Sequence, residues 1–81
     1  MKIQVTQQHI DKGHPGSCSG DPVSLAMKSA GLSKPWASPD HLAWRVEFRD
    51  YFMRTPENVV QFMIDFDTGK DVQPFEFEVE A

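Results

Sequence analysis

The end of the chain constrains the fold more than any other stretch. In FEFEVEA, residues 75 to 81, apolar side chains alternate with acidic ones: Phe75, Phe77 and Val79 with Glu76, Glu78 and Glu80. Successive side chains of a β-strand point to opposite faces, so the pattern predicts a strand with one buried and one solvated face. Pro74 has no N–H for a β-ladder, which places this strand at a sheet edge or marks its start.

Two helices are marked by capping residues followed by apolar positions at helical spacing. Asp21 is a favoured N-cap for a helix over residues 22 to 30, and a glycine follows the helix. Thr55 caps a second helix over residues 56 to 67, which has proline at its first position.

The N-terminal segment predicts a short strand and a single helical turn. Residues 2 to 6 alternate apolar and polar side chains, as a strand does. Thr6 then caps the turn, and we expect Gly13 to end it in a left-handed conformation. Residues 14 to 21, rich in glycine and serine, predict a loop.

The middle of the chain predicts a hairpin after a second loop. Residues 32 to 41 contain two prolines and predict a loop, in which Trp36 covers an edge of the core. Residues 41 to 48 alternate and predict a strand, which residues 51 to 54 follow after a turn at Arg49-Asp50. Four side chains of the first strand are expected to face the core: Leu42, Trp44, Val46 and Phe48.

This order of elements predicts a single α+β domain over residues 1 to 81. The succession β-α-β-β-α-β fits a small sheet of about four strands with two helices on one face. The chain is 40% hydrophobic and 25% charged, which is ordinary for a globular domain. A chain this short seldom builds a deep catalytic cleft, so we expect no enzyme and no cofactor.

The composition excludes some classes of protein. No apolar run approaches the roughly 20 residues that cross a bilayer, and the N-terminus is too polar for a signal peptide. With Cys18 as its single cysteine, the chain has no intramolecular disulfide framework. We therefore expect a cytoplasmic protein that does not bind membranes.

The negative charge is concentrated in the last third of the chain. Residues 57 to 81 hold one lysine against seven acids, whereas residues 1 to 56 hold seven Lys/Arg against five acids. An acidic surface disfavours direct nucleic-acid binding and suits a basic protein surface. The candidate partner-binding residues are Asp65, Asp67, Asp71, Glu76, Glu78 and Glu80. The alternative is a solvated strand face that prevents aggregation, with Arg45 pairing across the sheet to one glutamate.

The hairpin suggests a second kind of site. Arg45, Arg49 and Arg54 cluster around it and lie among aromatic residues, as in proteins that stack single-stranded nucleic acid. A small ligand- or nucleic-acid-binding module is therefore the alternative function. Most of these aromatic residues occupy positions predicted to face the core, which favours the structural interpretation.

The histidines and the cysteine do not form a recognisable chemical motif. His9, His14, Cys18 and His41 could supply zinc ligands, but their spacing matches no standard zinc finger. Cys18 precedes a helix N-terminus, which would favour a thiolate, yet no third residue to orient a base is evident. We therefore predict no metal site and no nucleophile.

Three segments resemble a group of small bacteriophage and prophage proteins. These are VTQQHIDKG, PVSLAMK and FMIDFDTGKDVQPFEFEV, which match a VTQxHIxxG start, a Pro-Val-Ala-Leu-type helix and an FDxGKxVxPFxF ending. Members often carry Cys-x-x-Cys before the helix, whereas Asp21 here follows Cys18 by three residues. The resemblance implies a phage accessory protein in a bacterial cytoplasm, but no particular activity.

Together these features predict a non-enzymatic protein that binds a host protein complex with a basic surface. An anti-CRISPR or another anti-defence inhibitor is the kind of phage protein that this description fits. The sequence leaves monomer and homodimer open.

Overall fold

The computed structural model describes residues 1 to 80. In chain order its elements are β1 (Lys2–Val5), α1 (Gln7–Lys12), α2 (Pro22–Ser29), β2 (Ser33–Ala37), β3 (His41–Val46), β4 (Arg49–Arg54), α3 (Glu57–Asp67) and β5 (Phe75–Glu78). The strands form two antiparallel sheets, one of β1 and β5 and one in the order β2-β3-β4. The predicted α+β class is confirmed, with five strands in two sheets where the sequence predicted about four in one.

The two-stranded sheet joins the two ends of the chain. β1 pairs with β5 so that Ile3 lies opposite Phe77 and Lys2 lies opposite Glu78. Ile3 and Phe77 are buried, and so is Val79 just after β5. The alternation at the end of the chain therefore has the predicted buried and solvated faces.

Both sheets and both longer helices contribute to one apolar core. Its members include Ile3 and Phe77 from the first sheet, Met27 from α2, Val59 from α3, and Leu42 and Trp44 from β3. The rings of Phe62 and Phe75 lie 4.6 Å apart between centroids, and they hold α3 against β5. Because the inner faces of both sheets pack in this core, their outer faces are left to solvent.

β2 lies where the sequence predicted a loop. It pairs with β3, and the register shifts between Ser33 and Trp36. Pro35 lies in this irregular stretch, next to Lys34 with a φ of 48°. A proline is tolerated on an edge strand at a bulge, because no ladder hydrogen bond needs its N–H there. Trp36 does not cover the core edge as expected, since it lies on the outer face of the sheet and is exposed.

The β3–β4 hairpin turns two residues earlier than predicted. The turn lies at Glu47 and Phe48, with Val46 opposite Arg49. Glu47 has a φ of 57°, a conformation that two-residue hairpin turns require and that asparagine or glycine would have signalled in the sequence. Val46 and Phe48, which were predicted to face the core, are exposed at this tip.

Two helix ends also differ from their predicted chemistry. The Thr55 hydroxyl does not cap α3, because it donates instead to the carbonyl of Ser38 at 2.6 Å, and Pro56 is the N-cap. Gly13 has a φ of −72°, so it is not left-handed. A Cβ at Gly13 would lie 2.5 Å from Cδ of Pro22, so close approach of α2 explains this glycine. Both differences arise from contacts between distant segments.

Candidate interaction site

The acidic strip, defined as Glu76, Glu78 and Glu80, is exposed along and just beyond β5. Lys2 Nζ lies 3.5 Å from Glu76 Oε1, and the N-terminal amino group lies 3.5 Å from Glu78 Oε2. These exposed ion pairs contribute little stability, but they offset part of the charge of the strip. Arg45 was expected to pair with a glutamate of this strip. It belongs to the other sheet and pairs with Asp50 instead.

The three candidate aspartates have different surroundings. Asp67 Oδ1 accepts a hydrogen bond from the N–H of Gly16 at 3.0 Å and thereby holds the loop between α1 and α2. This contact accounts for an acid at the C-terminal end of α3, where the helix dipole disfavours it. Asp65 lies 3.9 Å from Lys70 Nζ, and Asp65 and Asp71 line a shallow groove between α3 and the segment before β5. Asp67 and Asp71 are both exposed, and Asp67 in addition holds a loop of its own chain.

The outer face of the three-stranded sheet carries a row of apolar side chains. Trp36 pairs with Ala43, and Ala43 pairs with Phe52, so the three residues lie side by side across β2, β3 and β4. Trp36 is 45% exposed and Phe52 is 79% exposed. Neighbouring strands lie about 4.8 Å apart, so the small side chain of Ala43 lies between two large aromatic side chains. We call Trp36, Ala43 and Phe52 the aromatic face.

The three candidate arginines do not share one surface. Arg45 and Arg54 flank the aromatic face, whereas Arg49 lies on the opposite side of the sheet near the hairpin tip. Arg45 Nε donates to Asp50 Oδ1 at 2.7 Å, and this hydrogen bond lowers the pKa of Asp50. Within residues 1 to 80, no carboxylate lies at salt-bridge distance from Arg54. Arg54 therefore keeps its charge available beside the aromatic face.

Trp36 was expected to cover an edge of the core, whereas Phe52 was not individually assigned to either face. The alternation within β4 did indicate that Phe52 is exposed. Residues 50, 52 and 54 point to the same face of a strand, and Asp50 and Arg54 are charged, so that face is solvated. No local signal marks Trp36, because its orientation depends on the irregular pairing of β2 with β3.

His9 stabilises the start of α1. Its Nδ1 accepts a hydrogen bond from the N–H of Thr6 at 3.0 Å, and its Nε2 lies 2.9 Å from Ser29 Oγ. Burial, and to a lesser extent the charge of Lys12, lower the pKa of His9 and so favour the neutral ring. His9 thus takes the place that glutamate or glutamine has in a capping box.

Cys18 organises the loop between α1 and α2 through its backbone. Its carbonyl accepts hydrogen bonds from Ser24 Oγ at 2.7 Å and from the N–H of Ala37 at 2.8 Å. His14 and His41 are both exposed. In the part of the chain that the structure describes, no three His, Cys, Asp or Glu side chains converge to hold a metal ion.

No protein-family model, curated protein or solved structure matches this chain. No helix in residues 1 to 80 is both long and apolar enough to cross a membrane. The function is therefore inferred from the surfaces of the molecule itself.

Proposed function

We propose that this protein is a non-enzymatic interaction protein that binds a partner protein through its aromatic face. One observation carries the proposal: Trp36 and Phe52 are aligned on the outer face of a sheet whose inner face is packed in the core. Single exposed apolar residues are common and need no explanation. Two large aromatic side chains in one row, beside Arg54, have the composition of a binding hot spot.

A protein is a better partner for this face than a nucleic acid. Phosphate binding depends on several cations that displace counterions, and the chain carries a net charge of −4. On this face Arg45 is paired with Asp50. Among residues 1 to 80 this leaves Arg54 and Lys34, whose charge acts on Asp50, as the nearby cations without a carboxylate at salt-bridge distance. Stacking of single-stranded nucleic acid on Trp36 and Phe52 is the second candidate function, and the test below separates the two.

The partner class follows from the resemblance to phage proteins. A phage accessory protein in the bacterial cytoplasm would bind a host protein complex, and inhibition of a CRISPR or other defence complex is one such role. The acidic strip, with Asp65 and Asp71, would then face basic residues of that complex and accelerate encounter. Asp67 is left out of this surface because it bonds to Gly16.

Replacing Trp36 with alanine is expected to weaken partner binding by about tenfold or more, since aromatic hot-spot residues dominate interface affinity. The measurement is affinity capture of the tagged protein from its bacterial host, followed by titration of the captured protein. Phe48→Ala is the matched control, because Phe48 is fully exposed at the hairpin tip and lies outside the aromatic face. Equal affinity of wild type and Trp36→Ala would contradict the proposal.

Reversing the charge of the acidic strip tests its electrostatic contribution to partner binding separately. Glu76, Glu78 and Glu80 changed together to lysine are expected to slow association and to remove its salt dependence, while the fold persists. If no protein is captured and single-stranded oligonucleotides bind with a steep salt dependence, the second candidate function is correct instead.

A further inference from the structure

β4 exposes an unpaired strand edge. It spans six residues and, among the residues that the structure describes, pairs only with β3. A two-residue turn makes Val46 and Arg49 the first pair of the hairpin, and such a pair exchanges both of its hydrogen bonds. Backbone groups alternate along a strand, so the N–H and C=O of Asp50, Phe52 and Arg54 point away from β3. Within residues 1 to 80, no other segment hydrogen-bonds these outward groups.

The other edge of the same sheet is protected. Pro35 removes a donor from β2, and the register shifts beside it. The N–H of Ala37 is already bonded to the carbonyl of Cys18 at 2.8 Å. Proline, bulges and covering loops are the usual devices that keep a sheet edge from pairing with another chain. Within residues 1 to 80, β4 has no proline, bulge or covering loop, its charged side chains are of both signs, and Phe52 projects from its centre.

We propose that β4 pairs antiparallel with β4 of a second copy of this chain, with Phe52 at the two-fold axis. Residues with outward backbone groups must then lie opposite one another. Centring the pair on Phe52 places Asp50 opposite Arg54 of the partner subunit, and Arg54 opposite Asp50 of the partner subunit. Shifting either strand by two residues loses both charge pairs. Opposite charges at directly facing positions stabilise an antiparallel pair.

The self-complementary strand produces a larger binding surface. The two sheets join into one of six strands, and the aromatic faces of the two copies become continuous through Phe52. Asp50 then lies between Arg45 of its own chain, 2.7 Å away, and Arg54 of the partner subunit. On the inner face, the half-buried Tyr51 lies opposite Met53 of the partner subunit, which gives the new pair an apolar contact.

The mass of the purified full chain in solution tests this assembly without any other partner. Sedimentation or light scattering is expected to give a concentration-dependent dimer of the 9.2 kDa chain. Arg54→Glu places glutamate opposite Asp50 at both ends and is expected to raise the dissociation constant about tenfold or more. The triple variant Arg45→Glu, Asp50→Arg, Arg54→Glu restores opposite charges within and between chains, so it is expected to recover the dimer. Circular dichroism verifies that each variant is folded.

A cross-link tests the register. In a Cys18→Ser background, Phe52→Cys is expected to form a disulfide between two copies, because facing residues of such a pair have Cα atoms about 5.5 Å apart. Phe48→Cys, at a position even more exposed on the same hairpin, is the control that should cross-link far more slowly. A monomer at every concentration, equal cross-linking at both positions, or a dimer indifferent to Arg54→Glu would each overturn the proposal. Trp36 lies on β2, away from the β4 edge, so loss of partner binding by Trp36→Ala is distinguishable from loss of the dimer.

Discussion

Replacing Asp21 with asparagine is expected to raise the free energy of unfolding at neutral pH by roughly 1–3 kcal/mol. Asp21 is only 4% exposed. Burial raises its pKa to about 6, although the N–H of Ser24 donates to Oδ1 at 2.8 Å and opposes the shift. Each pKa unit corresponds to about 1.4 kcal/mol, so an ionised Asp21 destabilises the folded state. Asparagine keeps an oxygen for the Ser24 N–H and carries no charge.

The sign of the pH dependence follows from the raised pKa. In the folded protein Asp21 retains its proton above the ordinary value of 3.8, up to about 6. Its contribution to stability is therefore fully present below about pH 4 and is lost as the pH rises through about 6. The advantage of Asp21→Asn over wild type should grow across this interval. Urea unfolding followed by the fluorescence of the buried Trp44, at several pH values, measures it.

Asp21→Ala is the matched control for the helix cap. It removes both the charge and the acceptor, so it should be about 1 kcal/mol less stable than the asparagine variant. An asparagine variant that is less stable than wild type at neutral pH, or equally favoured at acidic and neutral pH, would show that hydrogen bonding outweighs burial at this site.

Replacing Gly13 with alanine is expected to lower the free energy of unfolding by about 1–3 kcal/mol. The new Cβ would lie 2.5 Å from Cδ and 2.6 Å from Cγ of Pro22, which is buried at the start of α2. Those ring atoms are fixed by the backbone, so α1 and α2 must move apart. The φ of −72° at Gly13 suits any residue, and the loss therefore arises from the steric contact alone.

Gly20→Ala is the control in the same loop. Its new Cβ would approach Ser17 Oγ at 3.0 Å, and that side chain can move at the cost of one hydrogen bond, which it accepts from the N–H of Gly20. Both substitutions reduce the entropy of the unfolded chain similarly, so the difference between them reports the contact with Pro22. Equal stability of the two variants in urea unfolding would mean that the helices adjust without cost.

The local elements could be predicted where the residues themselves decide them. Asp21 was recognised as an N-cap and does bind the N–H of Ser24, and Gly31 and Gly69 follow their helices with positive φ angles. The alternation around Phe77 predicted a buried and a solvated face, and the structure has both. These features depend on side chains within one or two helical turns of each other, so their signals are contained in short stretches of sequence.

The candidate site was only partly predictable. The acidic strip was evident, but its contact with Lys2 was not. Lys2 and Glu76 are 74 positions apart in the sequence, and the pairing of β1 with β5 brings them together. The exposure of Phe52 could be predicted because two charged residues lie on the same face of its strand. The exposure of Trp36 had no such indication in the neighbouring sequence. Asp67 was assigned to a partner, and its bond to Gly16 had no signal in the sequence. Each difference involves a contact between segments that the sequence does not bring together.

The sequence by itself determined the helices, the N-caps of α1 and α2 and the two faces of the last strand, because local sterics, hydrogen bonding and side-chain alternation govern them. Only the tertiary structure decided which strands pair, that they form two sheets, and that Gly13 is required by Pro22. Strand pairing depends on the register of distant segments, and a shift of one residue moves every side chain to the other face. The aromatic face and the open edge of β4 exist because of that pairing.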